Sequence, residues 1–414
     1  MNMKNKTVCI VGLGYVGLPL AQAFSTKLNV IGFDTDIVKI ERMKQNDNYS
    51  DLYFTSDPRE IKQADFVIVC VPTPLTSSKE PDLSYIRRAV ELISRNIKKG
   101  STVILESTVY PGVTEEVVKP LLESSGLICG QDFKIGYSPE RINPGDAEHT
   151  IEKVVKVVSG MDYDTTETLA QLYGLVTLHI FRATNIRTAE AAKVIENIQR
   201  DINIALVNEL SLIFQRMDLN SDEVLEAAAT KWNFHQYSPG LVGGHCIPVD
   251  PYYLVYKAEQ LGYHSKVILA GREINSFMPK HITDMTIDAL NQAGKIIKGS
   301  KVLIMGLTYK ENVTDTRETP TKEIIKQLKE YQVDIFGYDP LLDDIQNEFR
   351  ITAVDELQSM DVDCTILAVP HDVFKQITLD KLKLIMGDTP VLIDTHGFYD
   401  RSDAAKKGFC YRRL

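Results

Sequence analysis

A short apolar run, Val8-Cys9-Ile10-Val11, stops abruptly at Gly12-Leu13-Gly14-Tyr15-Val16-Gly17. Apolar positions then recur at helical spacing through Leu18, Leu20, Ala23 and Phe24. A strand that passes through a G-x-G-x-x-G turn into a helix is the opening of a βαβ unit in a doubly wound α/β sheet. The next strand, Val30-Ile31-Gly32-Phe33, ends in Asp34, at the distance from Gly12 that a closing acid takes in such a unit. Gly12 makes the turn, Gly14 lets the backbone approach a pyrophosphate, and Gly17 lets helix and strand pack closely, with the helix N-terminus facing the phosphates. Tyr15 and Val16 lie in the same loop and count among the cofactor-facing candidates. Asp34 can accept hydrogen bonds from a ribose hydroxyl and would repel a 2′-phosphate, so NAD is favoured over NADP. The bland alternative is a Rossmann-like domain that binds no dinucleotide.

Further strand-like runs follow at 64–74 (ADFVIVCVPTP), 101–108 (STVILEST) and 133–140 (FKIGYSPE). Ligands on open α/β sheets bind outside the carboxyl ends of the strands. Thr73, Ser107 and Thr108 are therefore candidate cofactor contacts. Glu140, with Arg141 and Asn143 beside it, is a candidate on the substrate side. Position alone leaves open that Thr108 and Glu140 merely cap helices or turns.

From about Thr188 to Met217 no Gly or Pro interrupts the chain, which predicts one helix of roughly 45 Å. Lys193 and Asn197, four apart, share a face of it, with Glu190 and Arg200 flanking them. Its later stretch is apolar on several faces, from Ile204 through Phe214, and is expected to be buried between domains and against a second subunit. A polar Lys/Asn pair on such a helix is also what an ordinary solvated face looks like. The segment at 238–254, SPGLVGGHCIPVDPYYL, changes the balance. Cys246 sits in a loop whose glycines, Gly243 among them, let backbone and substrate approach the sulfur, and Asp250 follows four residues on. Cysteine is a good nucleophile even with little thiolate at neutral pH. His245 reads as structural, because nothing near it in sequence completes a Cys–His pair.

The C-terminal part of the chain echoes the first: SKVLIMGLTYK at 300–310, VDIFGYDP at 333–340 and VDCTILAVPHD at 362–372. A second Rossmann-like unit follows. Its turn lacks the glycine triplet after Gly306, so no second dinucleotide is assigned. Gly306 and Asp339 stand farther apart than Gly12 and Asp34, and the surplus falls in a polar insert, YKENVTDTRETPT. The insert carries Lys310, a candidate substrate contact, and Arg317, whose planar fork suits phosphate or carboxylate and which is placed with the cofactor.

At 414 residues the chain is long enough for two or three domains. The pattern divides it into a dinucleotide domain at 1–187, a helical domain with the cysteine loop at 188–297 and a second Rossmann-like domain at 298–414. The fold class expected is thus α/β, two doubly wound domains joined by a helical middle. A net charge of −10 with no long run of like charge argues against nucleic acid or an anionic membrane as partner. It leaves room for an anionic substrate beside a few local cations such as Lys193, Lys310 and Arg317. The six cysteines show no close paired spacing, so no metal site is expected, and Cys9, Cys70 and Cys364 read as buried small hydrophobes. No run approaches the ~20 apolar residues of a membrane span, and a reduced, cytoplasmic protein follows.

GLGYVGLP, ESTVYPG, SPERINPGD, AEAAKVIEN, GGHCIPVD and GLTYKENVTDTRETP together resemble the UDP-glucose/GDP-mannose dehydrogenase family across essentially the whole chain. SPERINPGD and the stretch around GGHCIPVD look like the branch that oxidises UDP-N-acetylhexosamines, notably UDP-N-acetylglucosamine, for surface polysaccharides. Glucose-oxidising members usually read EFLREG where this chain has Glu140 to Gly145, and tend to carry Lys where it has Val249. The resemblance implies oxidation of the sugar's C6 alcohol to a carboxylate in two NAD-dependent steps. Cys246 would trap the aldehyde as a thiohemiacetal that is oxidised to a thioester. Lys193 and Asn197 would stabilise the oxyanions, Asp250 with Thr108 would handle protons, and Glu140 would help hydrolyse the thioester. It also implies a homodimer or higher homo-oligomer. UDP-N-acetylmannosamine, UDP-N-acetylgalactosamine and UDP-glucose stand as other substrates. A two-electron 2-hydroxyacid-type dehydrogenase and a non-catalytic nucleotide-sugar or NAD sensor are the readings from other classes.

Overall fold

The computed structural model describes residue 3 and residues 5–49, 51–141 and 150–414. The chain forms two compact units, Met1–Asn197 with Val249–His264, and Ile198–Pro248 with Ser265–Leu414.

Among the described residues the first unit is built on eight strands: β1 (Thr7–Val11), β2 (Asn29–Phe33), β3 (Tyr53–Thr55), β4 (Phe66–Val69), β5 (Thr102–Leu105), β6 (Lys134–Tyr137), β7 (Lys156–Gly160) and β8 (Ile180–Arg182). Their spatial order is β3-β2-β1-β4-β5-β6-β7-β8. The first six are parallel, β7 runs antiparallel to β6, and β8 is parallel to β7. The apolar runs are continuous because both faces of the sheet are covered. Cys9, Val11, Val67, Val69, Val103 and Leu105 point into one core, while Val8, Ile10, Phe66, Ile68 and Ile104 point into the other. The strand order reverses between β1 and β4, which is where a doubly wound sheet opens a crevice for a ligand. The helix after the glycine turn, α1, spans Gly17–Ser25.

The predicted long helix is present as α2, Ile186–Arg216, 31 residues. Its first turns belong to the first unit and the rest to the second. Burial of its later stretch is only partial: Ala205 and Val207 are buried, but Leu206 and Ile213 are about half exposed. A single helix can turn only one stripe inward, and the apolar residues around it exceed that stripe. Helix α3, Asp250–Gln260, returns to the first unit.

The second unit repeats the first six strands with β9 (Lys301–Met305), β10 (Asp334–Tyr338), β11 (Thr352–Ala353), β12 (Cys364–Leu367), β13 (Val391–Asp394) and β14 (Cys410–Arg413). All are parallel, in the order β11-β10-β9-β12-β13-β14. Helix α4, Lys266–Gln292, lays Met278, Ile282, Ala289 and Leu290 into this unit's core. Cys9, Cys70 and Cys364 are buried, and burial pushes the Cys9 thiol up to about 12, which keeps it inert. Among the described residues no helix is long and apolar enough to cross a membrane.

Candidate active site

The glycine turn between β1 and α1 has the form a dinucleotide requires. Gly12 has φ +95°, and a Cβ there would lie 2.8 Å from the Cys70 carbonyl oxygen. A Cβ at Gly17 would lie 1.9 Å from the Gly12 carbonyl oxygen, so only glycine lets α1 start there. Gly14 faces open space, which a side chain would fill and a pyrophosphate can use. Tyr15 is exposed beside it and Val16 half-buried. Asp34 accepts from Leu13 N at 3.0 Å and Asp36 N at 3.1 Å, which aims its carboxylate at the crevice. Lys39 Nζ also reaches Asp34 Oδ2, at 2.7 Å. Half-burial works to raise the Asp34 carboxyl, but the Lys39 bond and the two amides outweigh it and hold the group below the ordinary range. Sequence reasoning did not find Lys39.

The carboxyl ends of β4, β5 and β6 carry Thr73, Ser107-Thr108 and Glu140-Arg141. Tyr253 on α3 donates to Thr73 O at 2.9 Å, and Ser107 Oγ donates to Val71 O at 2.7 Å. Thr108 is half-buried. Arg141 bonds Glu196 on α2 at 2.8 Å, which ties the β6 end to the helix that carries Lys193 and Asn197. Asn143 lies outside the described residues.

Asn197 is buried and its Nδ2 donates to Asp250 Oδ2 at 2.5 Å. Asp250, at the start of α3, is itself 3% exposed. Burial pushes its carboxyl up to about 6, against the downward pull of the Lys193 ammonium and the Asn197 amide. A carboxylate that can exchange a proton near neutral pH, beside a cation and an amide donor, is equipped to serve an alcohol that becomes a carbonyl.

Two buried carboxylates nearby were not singled out for chemistry from sequence. Glu190 accepts from Gly112 N at 2.5 Å, Thr114 N at 2.9 Å and Thr114 Oγ1 at 2.7 Å, which fastens the first turns of α2 to the loop after β5. Glu106, between β5 and Ser107, is paired with Lys156 at 2.8 Å, with side chains 0% and 8% exposed. Burial pushes the Glu106 carboxyl up to about 7; Lys156 draws it down and the Glu140 charge adds to the rise.

In the second unit, the cysteine loop packs against the polar insert after β9. A Cβ at Gly243 would lie 2.6 Å from Pro320 Cδ, and Gly244, at φ +85°, donates to Glu318 O at 3.2 Å. Arg317 grips Asp315 through Nε (3.0 Å to Oδ1) and Nη2 (2.6 Å to Oδ2), and its Nη2 lies 3.3 Å from His245 Nδ1. His245 packs edge-on against Tyr309. Cys246 and Lys310 are each half-buried on this surface. The insert that carries Arg317 thus forms one wall of the loop that presents the thiol. The start of that loop is held by Asn208 of α2, which donates to Gly240 O at 3.0 Å and accepts from Gly240 N at 2.8 Å.

Asp339 occupies in the second unit the place Asp34 has in the first, accepting from Leu307 N at 2.7 Å. It is fully covered and bonded to buried His371 at 3.1 Å. The acid that would take a ribose is therefore sealed by an imidazole.

Residues 6–50 and 43–177 match the NAD binding domain of the UDP-glucose/GDP-mannose dehydrogenase family, 187–277 its central domain and 303–401 its UDP binding domain. The chain belongs to that family. It is an NAD-dependent oxidoreductase that acts on a UDP-linked sugar. The chain is 44% identical to Protein CapL of Staphylococcus aureus, over 96% of this chain and 97% of that one. It is also 44% identical to UDP-N-acetyl-D-glucosamine 6-dehydrogenase of Pseudomonas aeruginosa, over 95% of this chain and 97% of that one. Among solved structures, UDP-D-ManNAc dehydrogenase from Pyrococcus horikoshii superposes with TM-score 0.89 at 29% identity, covering 99% of each chain.

Proposed function

We propose that the chain oxidises the C6 hydroxyl of a UDP-N-acetylhexosamine, with UDP-N-acetylglucosamine first among them, to the uronic acid in two NAD-linked steps. The observation that carries this reading is the buried Asp250, hydrogen-bonded to Asn197 and drawn on by the Lys193 charge. The N-acetylglucosamine assignment draws on the Pseudomonas relative named for that sugar. UDP-N-acetylmannosamine is the runner-up, because relatives named for it align over nearly all of this chain at 30–35% identity.

When bound, NAD supplies the hydride acceptor, and Gly12, Gly14, Tyr15, Val16, Gly17, Asp34, Thr73, Ser107, Thr108 and Arg317 are the residues we assign to it. Asp250, with Thr108, takes the proton from the C6 hydroxyl as two electrons leave the carbon. The Cys246 thiolate then adds to the aldehyde to form a thiohemiacetal. Loss of a second hydride gives a thioester, and Glu140 directs water to it, releasing the carboxylate and restoring the thiol. Lys193 and Asn197 hold the negative charge on the C6 oxygen in both halves, a service worth ~3 kcal/mol per preorganised donor. Arg141, Asn143, Gly243 and Lys310 complete the sugar-nucleotide site. Division into parts at 1–187, 188–297 and 298–414 belongs to the same reading. So do a cytoplasmic location and a homodimer or higher oligomer formed over the exposed Leu206 and Ile213 of α2.

The deciding measurement is NADH formed per UDP-N-acetylglucosamine consumed. Two is expected; one, or no turnover with any UDP-N-acetylhexosamine, overturns the reading.

A further inference from the structure

The residues leading into and along the start of β7 grip the turn that carries Glu140 at three successive positions. Arg141 Nη1 donates to Val155 O at 2.7 Å, Lys156 Nζ donates to Pro139 O at 2.9 Å, and Ser138 Oγ donates to Val157 O at 2.9 Å. The antiparallel register explains why. Tyr137 pairs with Ser159, and the same register continued outward brings Lys156 opposite Glu140. The Lys156 ammonium also donates to Glu106 Oε2 at 2.8 Å and lies 5.0 Å from the centre of the Tyr173 ring. Glu106 immediately precedes Ser107-Thr108. One buried ammonium therefore locks the ends of β5 and β6 together.

Stability alone is a poor account of this pair. Removing two charges from water is costly, and apolar residues of the same volume often serve a core as well or better. What an apolar pair lacks is a donor aimed at the carbonyl next to Glu140. We propose that Lys156, with Glu106 as its counter-charge, is a positioning residue that fixes Glu140 for attack of water on the thioester. This rests on the role given to Glu140 above.

The test uses the full-length chain with NAD and UDP-N-acetylglucosamine, comparing E106Q/K156M, E140Q and their combination. E106Q/K156M removes both charges and keeps the volume. Its kcat should fall on the order of 10- to 100-fold, the scale of a misplaced reacting group, with both KM values within about threefold of the parent. Intact-mass measurement during turnover should find the sugar adduct accumulating on Cys246, as in E140Q. Adding E140Q should then cost little more, because both changes disable one step. Lys156→Arg, which keeps charge and donors, should recover part of the rate. Should the neutral pair fail to fold, Ser138→Ala loosens the same turn with the ion pair intact. It should lower kcat by a smaller factor that again does not multiply with E140Q. Parent-like kcat in the folded clamp variants, or effects that multiply with E140Q, overturns the positioning role. Parent-like turnover of E140Q itself instead overturns the role of Glu140, and the clamp's purpose with it.

Discussion

Asp250 sets activity against stability within one side chain. Its carboxyl stands at about 6 in the folded chain against an ordinary 3.8. The raised group favours folding fully at pH below the ordinary value and loses that contribution as pH climbs through about 6. Asp250→Asn keeps an acceptor for Asn197 and removes the charge. Its stability relative to the parent should therefore rise between pH 4 and pH 7 by on the order of 3 kcal/mol and then level off. Urea unfolding at a series of pH values measures this, and a flat difference would contradict it. Turnover of the parent should fall below pH about 6 as the same carboxyl takes up its proton, with the variant slow throughout. Cys246→Ala should abolish uronic acid formation while leaving NAD affinity within about twofold, read by fluorescence titration and product analysis; continued uronic acid formation at the parent rate would remove the thioester. Cys246, Lys193, Asn197 and Asp250 were legible as candidates because helical spacing and a glycine-rich loop mark them. Lys156 was not: in KVVKVVSG it reads as a surface lysine, and only the antiparallel pairing of β7 turns it inward.

Among the elements, α2 depends on Glu190 for its anchorage. Glu190→Ala would leave the buried amides of Gly112 and Thr114 without their acceptor, at a cost of about 3 kcal/mol. Glu190→Gln, which keeps one acceptor oxygen, should cost less. Denaturant midpoints for the two variants rank these effects, and equal midpoints with the parent would show the contact to be idle. The central parallel strands of each sheet and the long helix could be read from the sequence, since continuous apolar runs and an unbroken helical stretch are strong local signals. Strands β3, β8 and β11 were missed because they are only two or three residues long, and β7, β13 and β14 because runs of four or five residues carry no periodicity of their own. The exposed Leu206 and Ile213 of α2 illustrate the same limit of local signals: an apolar sequence sets how much surface wants cover, but not whether the same chain or a second subunit supplies it.

For the molecule as a whole, two sheets of matching strand order imply two dinucleotide crevices by symmetry, yet in the second His371 covers Asp339, the counterpart of Asp34. Calorimetric titration should find one NAD per chain, and a second site of similar affinity would mean that His371 moves aside. The sequence registered this asymmetry through the missing glycines after Gly306, while the imidazole that enforces it comes far along the chain from Asp339 and gave no local sign. The order in which the polypeptide is made bears on a different matter. The first unit closes only when Val249–His264 arrives, since Tyr253 fastens to Thr73 and Val249 and Tyr253 fill its core. A ribosome must therefore deliver the chain through His264 before that unit is complete. Meanwhile Ile198–Pro248 is already outside the tunnel, awaiting strands that have yet to be synthesised. The nascent chain then carries unfinished business from both halves at once, and apolar surface left uncovered in this way is what makes a partly made chain prone to aggregate.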